Sequence, residues 1–148
     1  MSKRISSIEK AYLAGFLDGD GSIYIRLKPN STYRYGFQVA PYIVFFQSQK
    51  SEENFKKICS LVNLGYLRRR NDGILEYIIG KQEAILKFLE MIKPYVILKE
   101  KQVVLMIEII DKKKSIKNQA DFSKLTQLVD RFRELNYSKK RKRHKLTP

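Results

Sequence analysis

Two carboxylates two residues apart, Asp18 and Asp20, stand among glycines in the stretch Leu13-Ala-Gly-Phe-Leu-Asp-Gly-Asp-Gly21. Upstream, Ser6-Ser7-Ile8-Glu9 has the form of a capping box and predicts a helix beginning near Ser7. Gly19 and Gly21 predict its end. Asp20 then sits at the negative end of the helix dipole, an unfavourable place for a carboxylate unless a cation or solvent compensates. It is therefore a candidate metal ligand, with the Gly19 carbonyl as a second oxygen donor. Oxygen donors at a helix C-terminus suit a hard cation such as Mg²⁺, which keeps several waters and needs few protein ligands. A tight helix-to-strand turn with aspartates chosen for turn chemistry accounts for the same residues. A calcium loop does not. Counted from Asp18, loop positions six and twelve are Ile23 and Pro29, where glycine and glutamate are required.

The chain that must position these groups has 148 residues, enough for one domain with a sizeable core. Thirty Lys and Arg against 15 acidic residues give a net charge of +15. That excess points to a polyanion, most commonly nucleic acid. The lone Cys59 excludes an intramolecular disulfide and a cysteine zinc site, and lies on an apolar helix face. No apolar run approaches a membrane span, so no membrane partner is expected. Without a cleavable address, the expectation is a protein working in the compartment where it is made. The final run Ser138-Lys-Lys-Arg-Lys-Arg-His-Lys145 is nearly all positive, so the chain divides into a domain over 1–137 and a basic tail over 138–148. Lys139, Lys140 and Arg141 are its candidates for gripping phosphates. A nuclear-localisation sequence or a solvated charged end has the same composition.

Residues 22–28 alternate, with Ile23, Ile25 and Leu27 on one side and Ser22, Tyr24, Arg26 and Lys28 on the other. A turn through Pro29 and Asn30 leads to a second strand predicted over Tyr33 to Gln47. Phe37, Val39, Ile43 and Phe45 form one side, Arg34, Gln38, Ala40 and Tyr42 the other. Pro41 predicts an edge position or a bulge. A helix from about Ser51 to Leu61 precedes a hairpin, Tyr66 to Arg70 and Ile74 to Ile79, turned by Asn71-Asp72-Gly73. There Arg68 and Arg70 share a face, and Glu76 is the one acid beside them. Amphipathic helices follow near 82–92, 99–111 and 121–136. The order α-β-β-α-β-β-α with further C-terminal helices predicts an α+β fold. A four-stranded antiparallel sheet packs its helices on one face and leaves the other open. The open face collects Arg26, Lys28, Gln38, Tyr42 and the arginines, a composition fitted to the DNA major groove.

Leu-Ala-Gly-Phe-Leu-Asp-Gly-Asp-Gly followed by Ser-Ile resembles the signature of the LAGLIDADG homing endonucleases, in particular the single-motif branch of green-algal chloroplast introns. The resemblance runs through most of the chain. It implies a homodimer that makes a metal-dependent, staggered double-strand break in a long pseudo-palindromic DNA target. The cofactor would be Mg²⁺, with Mn²⁺ substituting. By the same resemblance Asp20 and Gly19 hold the metal, and Gln47 and Lys99 lie at the reacting phosphate. Lys50 is nearest to a further basic residue that the family carries, although Ser51-Glu52-Glu53 makes the alignment ambiguous. The helix bearing Tyr12, Leu13, Gly15, Phe16 and Gly19 would pack on its copy, small residues letting the backbones approach. Tyr24, Asn30, Tyr33 and Glu76 join the DNA-binding candidates above. A splicing cofactor that binds intron RNA on the same fold is the alternative reading. Intact Asp20, Gln47 and Lys99 argue for cleavage, because RNA binding alone would not require them.

Overall fold

The computed structural model describes residues 4–136, and the tail candidates Lys139, Lys140 and Arg141 lie outside that range. Helix α1 (Ser7–Asp20) starts as its capping box requires. The Ser6 hydroxyl accepts the Glu9 N–H, and the Glu9 carboxylate accepts the Ser6 N–H. Strands β1 (Gly21–Pro29) and β2 (Phe37–Ser48) follow, then a 3-10 turn (Gln49–Ser51) and α2 (Glu52–Val62). The second hairpin is β3 (Tyr66–Arg69) and β4 (Ile74–Ile79). Helices α3 (Gln82–Ile92), α4 (Glu100–Lys114) and α5 (Gln119–Leu135) complete the order. None of these helices is long and apolar enough to cross a membrane.

The sheet runs β1-β2-β4-β3, antiparallel throughout. Its apolar face carries Ile23, Ile25, Val39, Ile43, Phe45, Leu75, Tyr77 and Ile79, all buried against the helices. Phe45 sits at the centre, edge-on to Phe16 at 5.4 Å and to Phe88 at 5.6 Å. The β1–β2 register runs unbroken from Gly21↔Phe45 to Pro29↔Phe37, so Pro41 makes no bulge. It falls where β4 has already ended, opposite Ile43, so β2 has one neighbour there and the missing N–H costs no ladder bond.

Three sequence expectations need correction. The second strand begins at Phe37 rather than Tyr33, because 30–36 form a closed turn. The Asn30 side-chain oxygen accepts from Thr32, the Asn30 N–H donates to Gly36, and Gly36 has φ +81°. Arg34 therefore lies in this turn, with its guanidinium over the Tyr35 ring, and not on the strand face. In the second hairpin β3 stops at Arg69. Arg70 follows it, its N–H still donating to the Ile74 carbonyl, and its guanidinium is paired with Asp72 at 2.6 Å. Leu13 is fully buried in the core of its own chain, so it has no surface to offer a second copy.

Candidate active site and nucleic-acid interface

Helix α1 ends where β1 begins, which places Asp20 at the head of the sheet. Its carboxylate is exposed and, among the described residues, engaged by no hydrogen bond or ion pair. The Gly21 N–H closes the helix onto the Leu17 carbonyl. The carbonyls of this last turn have no further helical N–H ahead of them and direct partial negative charge outward. A carboxylate without a counter-charge at this end fits an oxygen-liganded divalent cation. No group of three or more His, Cys, Asp or Glu residues able to hold a metal occurs among the described residues. Asp20 and the Gly19 carbonyl would therefore need phosphate, water or a second copy to complete a coordination shell.

Asp18, the other carboxylate, turns away from this task. It accepts the backbone N–H groups of Ile97, Leu98 and Lys99 at 2.9, 3.0 and 3.1 Å. The Lys99 ammonium in turn donates to the Asp18 carbonyl at 3.2 Å, which sets it at the end of α1. Gln47 reaches the same region by register. The first β1–β2 pair is Gly21↔Phe45, so Gln47, two residues beyond Phe45, lies at the end of the sheet where α1 gives way to β1. Its side-chain oxygen accepts the Ser48 N–H at 3.0 Å. Lys50 stands exposed in the 3-10 turn beyond β2 and, among the described residues, makes no hydrogen bond or ion pair with this group. The structure thus gathers Asp18, Gly19, Asp20 and Lys99, with Gln47 alongside. Only the tie through Asp18 had no sequence signal, since its partners lie 79 to 81 residues away.

The open face of the sheet is built by alternation. On β1 and β2 it presents Tyr24, Arg26 and Lys28 across from Tyr42, Ala40 and Gln38. Tyr24 and Tyr42 stack at 5.3 Å, and the Arg26 guanidinium stands 5.8 Å from both ring centres. The Lys28 ammonium donates to the Tyr42 hydroxyl at 2.8 Å. Burial pushes the Tyr24 phenol up, with Arg26 pulling the other way, so this hydroxyl stays protonated around neutral pH. On β3 and β4 the same face carries Tyr66 and Arg68 opposite Ile78 and Glu76. Arg68 and Glu76 pair at 3.7 Å. Tyr66 was not singled out from the sequence, although the alternation that selects Arg68 selects it too. Val44 and Ile78 make this end of the face apolar and are nearly covered by their neighbours. Tyr33 and Arg34 are exposed on the distal turn and extend the face by position.

The outer stripe of α1 is also unpartnered. Ile8 is 83% exposed and Tyr12 54%, and they share a helix side with Gly15 and Gly19. A Cβ added at either glycine would meet nothing within 4 Å. Phe16, half-buried, lies at the margin and stacks on Phe55 at 6.2 Å.

A helix that delivers a carboxylate to the head of a basic antiparallel sheet is the arrangement of the LAGLIDADG homing endonucleases, and the chain belongs to that family. The family profile, described as LAGLIDADG endonuclease, matches residues 13–107. DNA endonuclease I-CreI of Chlamydomonas reinhardtii is 36% identical over 134 residues, covering 88% of this chain and 80% of that one. DNA endonuclease I-CvuI of Chlorella vulgaris is 31% identical over 131 residues, covering 88% and 81%. The crystal structure of I-CvuI bound to the I-CreI target, uncleaved in 2 mM Mg, superposes with a TM-score of 0.83 at 30% identity. That match covers 91% of this chain and 86% of the other. None of these relatives is described as binding RNA, so the splicing alternative gains no support from them.

Proposed function

We propose that the chain is a homodimeric, site-specific DNA endonuclease that makes a staggered double-strand break in a long pseudo-palindromic target, with Mg²⁺ as cofactor. One observation carries this reading: the unpaired Asp20 carboxylate stands at the head of the open, cationic sheet face, so one element delivers both reach and chemistry. The relatives support it, being DNA endonucleases, and I-CvuI is described on DNA with Mg or with Ca. Asp20 and the Gly19 carbonyl would hold the cation, which when bound supplies Lewis-acid polarisation of the phosphate. Lys99, held beside them, neutralises charge that builds on the phosphate oxygens. Gln47, at the end of β2 beyond the Gly21↔Phe45 pair, orients water at the same end of the sheet through its amide. Arg26, Lys28, Gln38 and Arg68 lie along the duplex and read base edges or phosphates.

One chain offers a single Asp20, and two strands must be cut. The exposed α1 stripe supplies the symmetry. With open space over Gly15 and Gly19, a second α1 can approach closely, and a two-fold interface of this kind brings the two Asp20 residues near one another. The test is cleavage of a randomised DNA library with Mg²⁺, beside Ca²⁺ and the Asp20→Asn protein. Discrete near-palindromic sites, cut with Mg²⁺ and lost in Asp20→Asn while binding persists, are the expected result. Undiminished cutting by Asp20→Asn would refute the metal assignment.

A further inference from the structure

We infer that Asp18 is a positioning residue for Lys99, an inference that rests on the nuclease reading above. Helix α4 begins without a cap of its own: Lys99 occupies the N-cap position, and its side chain caps nothing. The first N–H groups of a helix have no partner within it. Asp18, on another helix, takes the N-cap N–H of Lys99 and the two N–H groups just ahead of it. Both of its carboxylate oxygens are used, Oδ2 by Ile97 and Leu98 and Oδ1 by Lys99. Three N–H donors converging on one carboxylate form charge-assisted bonds, about twice as strong as neutral ones.

The same residue holds the far end of the lysine. The Lys99 ammonium donates to the Asp18 main-chain carbonyl, in the last turn of α1 where the helix dipole favours a cation. Lys99 is therefore gripped at its N–H and at its Nζ by a residue two positions from Asp20. Little else fixes this segment. Val96 is buried, but Ile97 and Leu98 are 77% and 78% exposed, so their side chains contribute little packing to hold the backbone. The carboxylate is also specific to the task. Asparagine has one acceptor oxygen, and its amide would face an N–H with another N–H. Alanine leaves three donors without acceptors.

The experiment uses the full chain on a site recovered from the library. Binding is measured in Ca²⁺ and single-turnover cleavage in Mg²⁺, for Asp18→Asn, Lys99→Met and the double variant. Asp18→Asn should leave the Kd within about threefold and slow cleavage by roughly 10- to 100-fold, the range for groups that orient reacting ones. In the Lys99→Met background the same change should cost little more, because the two residues act as one unit. A residue that served only the fold would give penalties that multiply. Multiplying penalties, full-rate cleavage by Asp18→Asn, or loss of its folded state by circular dichroism would each overturn the positioning role. The two readings fail separately. If the unsubstituted chain cuts no library sequence, the nuclease reading falls. If it cuts, Asp20→Asn does not, and Asp18→Asn cuts at full rate, this inference alone is wrong.

Discussion

Arg26 carries the one guanidinium on the open side of the β1–β2 ladder among the described residues, and it is held over two stacked tyrosines. That restraint removes rotamer freedom before DNA arrives, so less is lost on binding. A fixed guanidinium fork matches the O6 and N7 acceptors of guanine in the major groove, whereas a carboxamide matches adenine. Arg26→Gln should move the preferred base from guanine to adenine at one symmetric pair of target positions, a discrimination of about 1–3 kcal/mol. Sequencing the library molecules that each protein cuts would show it, and an unchanged profile would remove Arg26 from base reading. Arg26, Lys28 and Tyr42 were legible from the two-residue period of a strand. The pairing of Arg70 with Asp72 was not, because alternation says nothing of a partner within the turn. Leu13 also misled: membership of the motif says nothing of which side of α1 a residue occupies, and packing on the sheet puts Leu13, Ala14 and Leu17 inward. Cys59 behaves as its helical position suggested. Burial pushes its thiol up to about 11, so alkylation by iodoacetamide at pH 8 should be far slower in the folded chain than in urea.

Among the elements, the joint between α2 and β3 is the one a single atom secures. Asn63 ends α2 in the left-handed region, with φ 49°. The N–H groups of Leu64 and Gly65 both donate to the Tyr77 hydroxyl, at 2.9 and 2.7 Å, from the core side of β4. A Cβ on Gly65 would come within 2.1 Å of the Ile78 carbonyl oxygen, so the backbones approach there as only glycine permits. Tyr77→Phe leaves two donors unsatisfied and should destabilise the fold by about 1–3 kcal/mol, read from urea denaturation. A shift in midpoint too small to measure would show that water replaces the hydroxyl. The element order itself was readable, because capping box, strand alternation and the Asn-Asp-Gly turn each name their element locally. Strand ends were less so. The 30–36 turn is closed by an asparagine side chain and a left-handed glycine, while Tyr33 and Tyr35, residues favoured in strands, mask how far it extends.

For the whole molecule, α1 has two sides: its inner side builds the core, and its exposed outer side is the one proposed to meet a second copy. Gly15→Leu separates these roles. Within one chain a Cβ there meets nothing within 4 Å, and leucine, ranked just below alanine, is better than glycine inside a helix by somewhat less than about 1 kcal/mol. The variant should therefore melt no lower than the original yet sediment as a monomer and lose double-strand cleavage. A dimer that survives in ultracentrifugation would place the interface elsewhere. Strand β2 sets a further quantity. Its 12 residues, at about 3.4 Å each, reach about 40 Å. Stacked bases advance by about 3.4 Å along a strand, so β2 can follow about a dozen base pairs. Two copies in the proposed dimer would span about twice that length. A sequence so long scarcely recurs by chance in a genome, so on the proposed function the length of one strand would make the cut rare enough for a cell to survive carrying the enzyme.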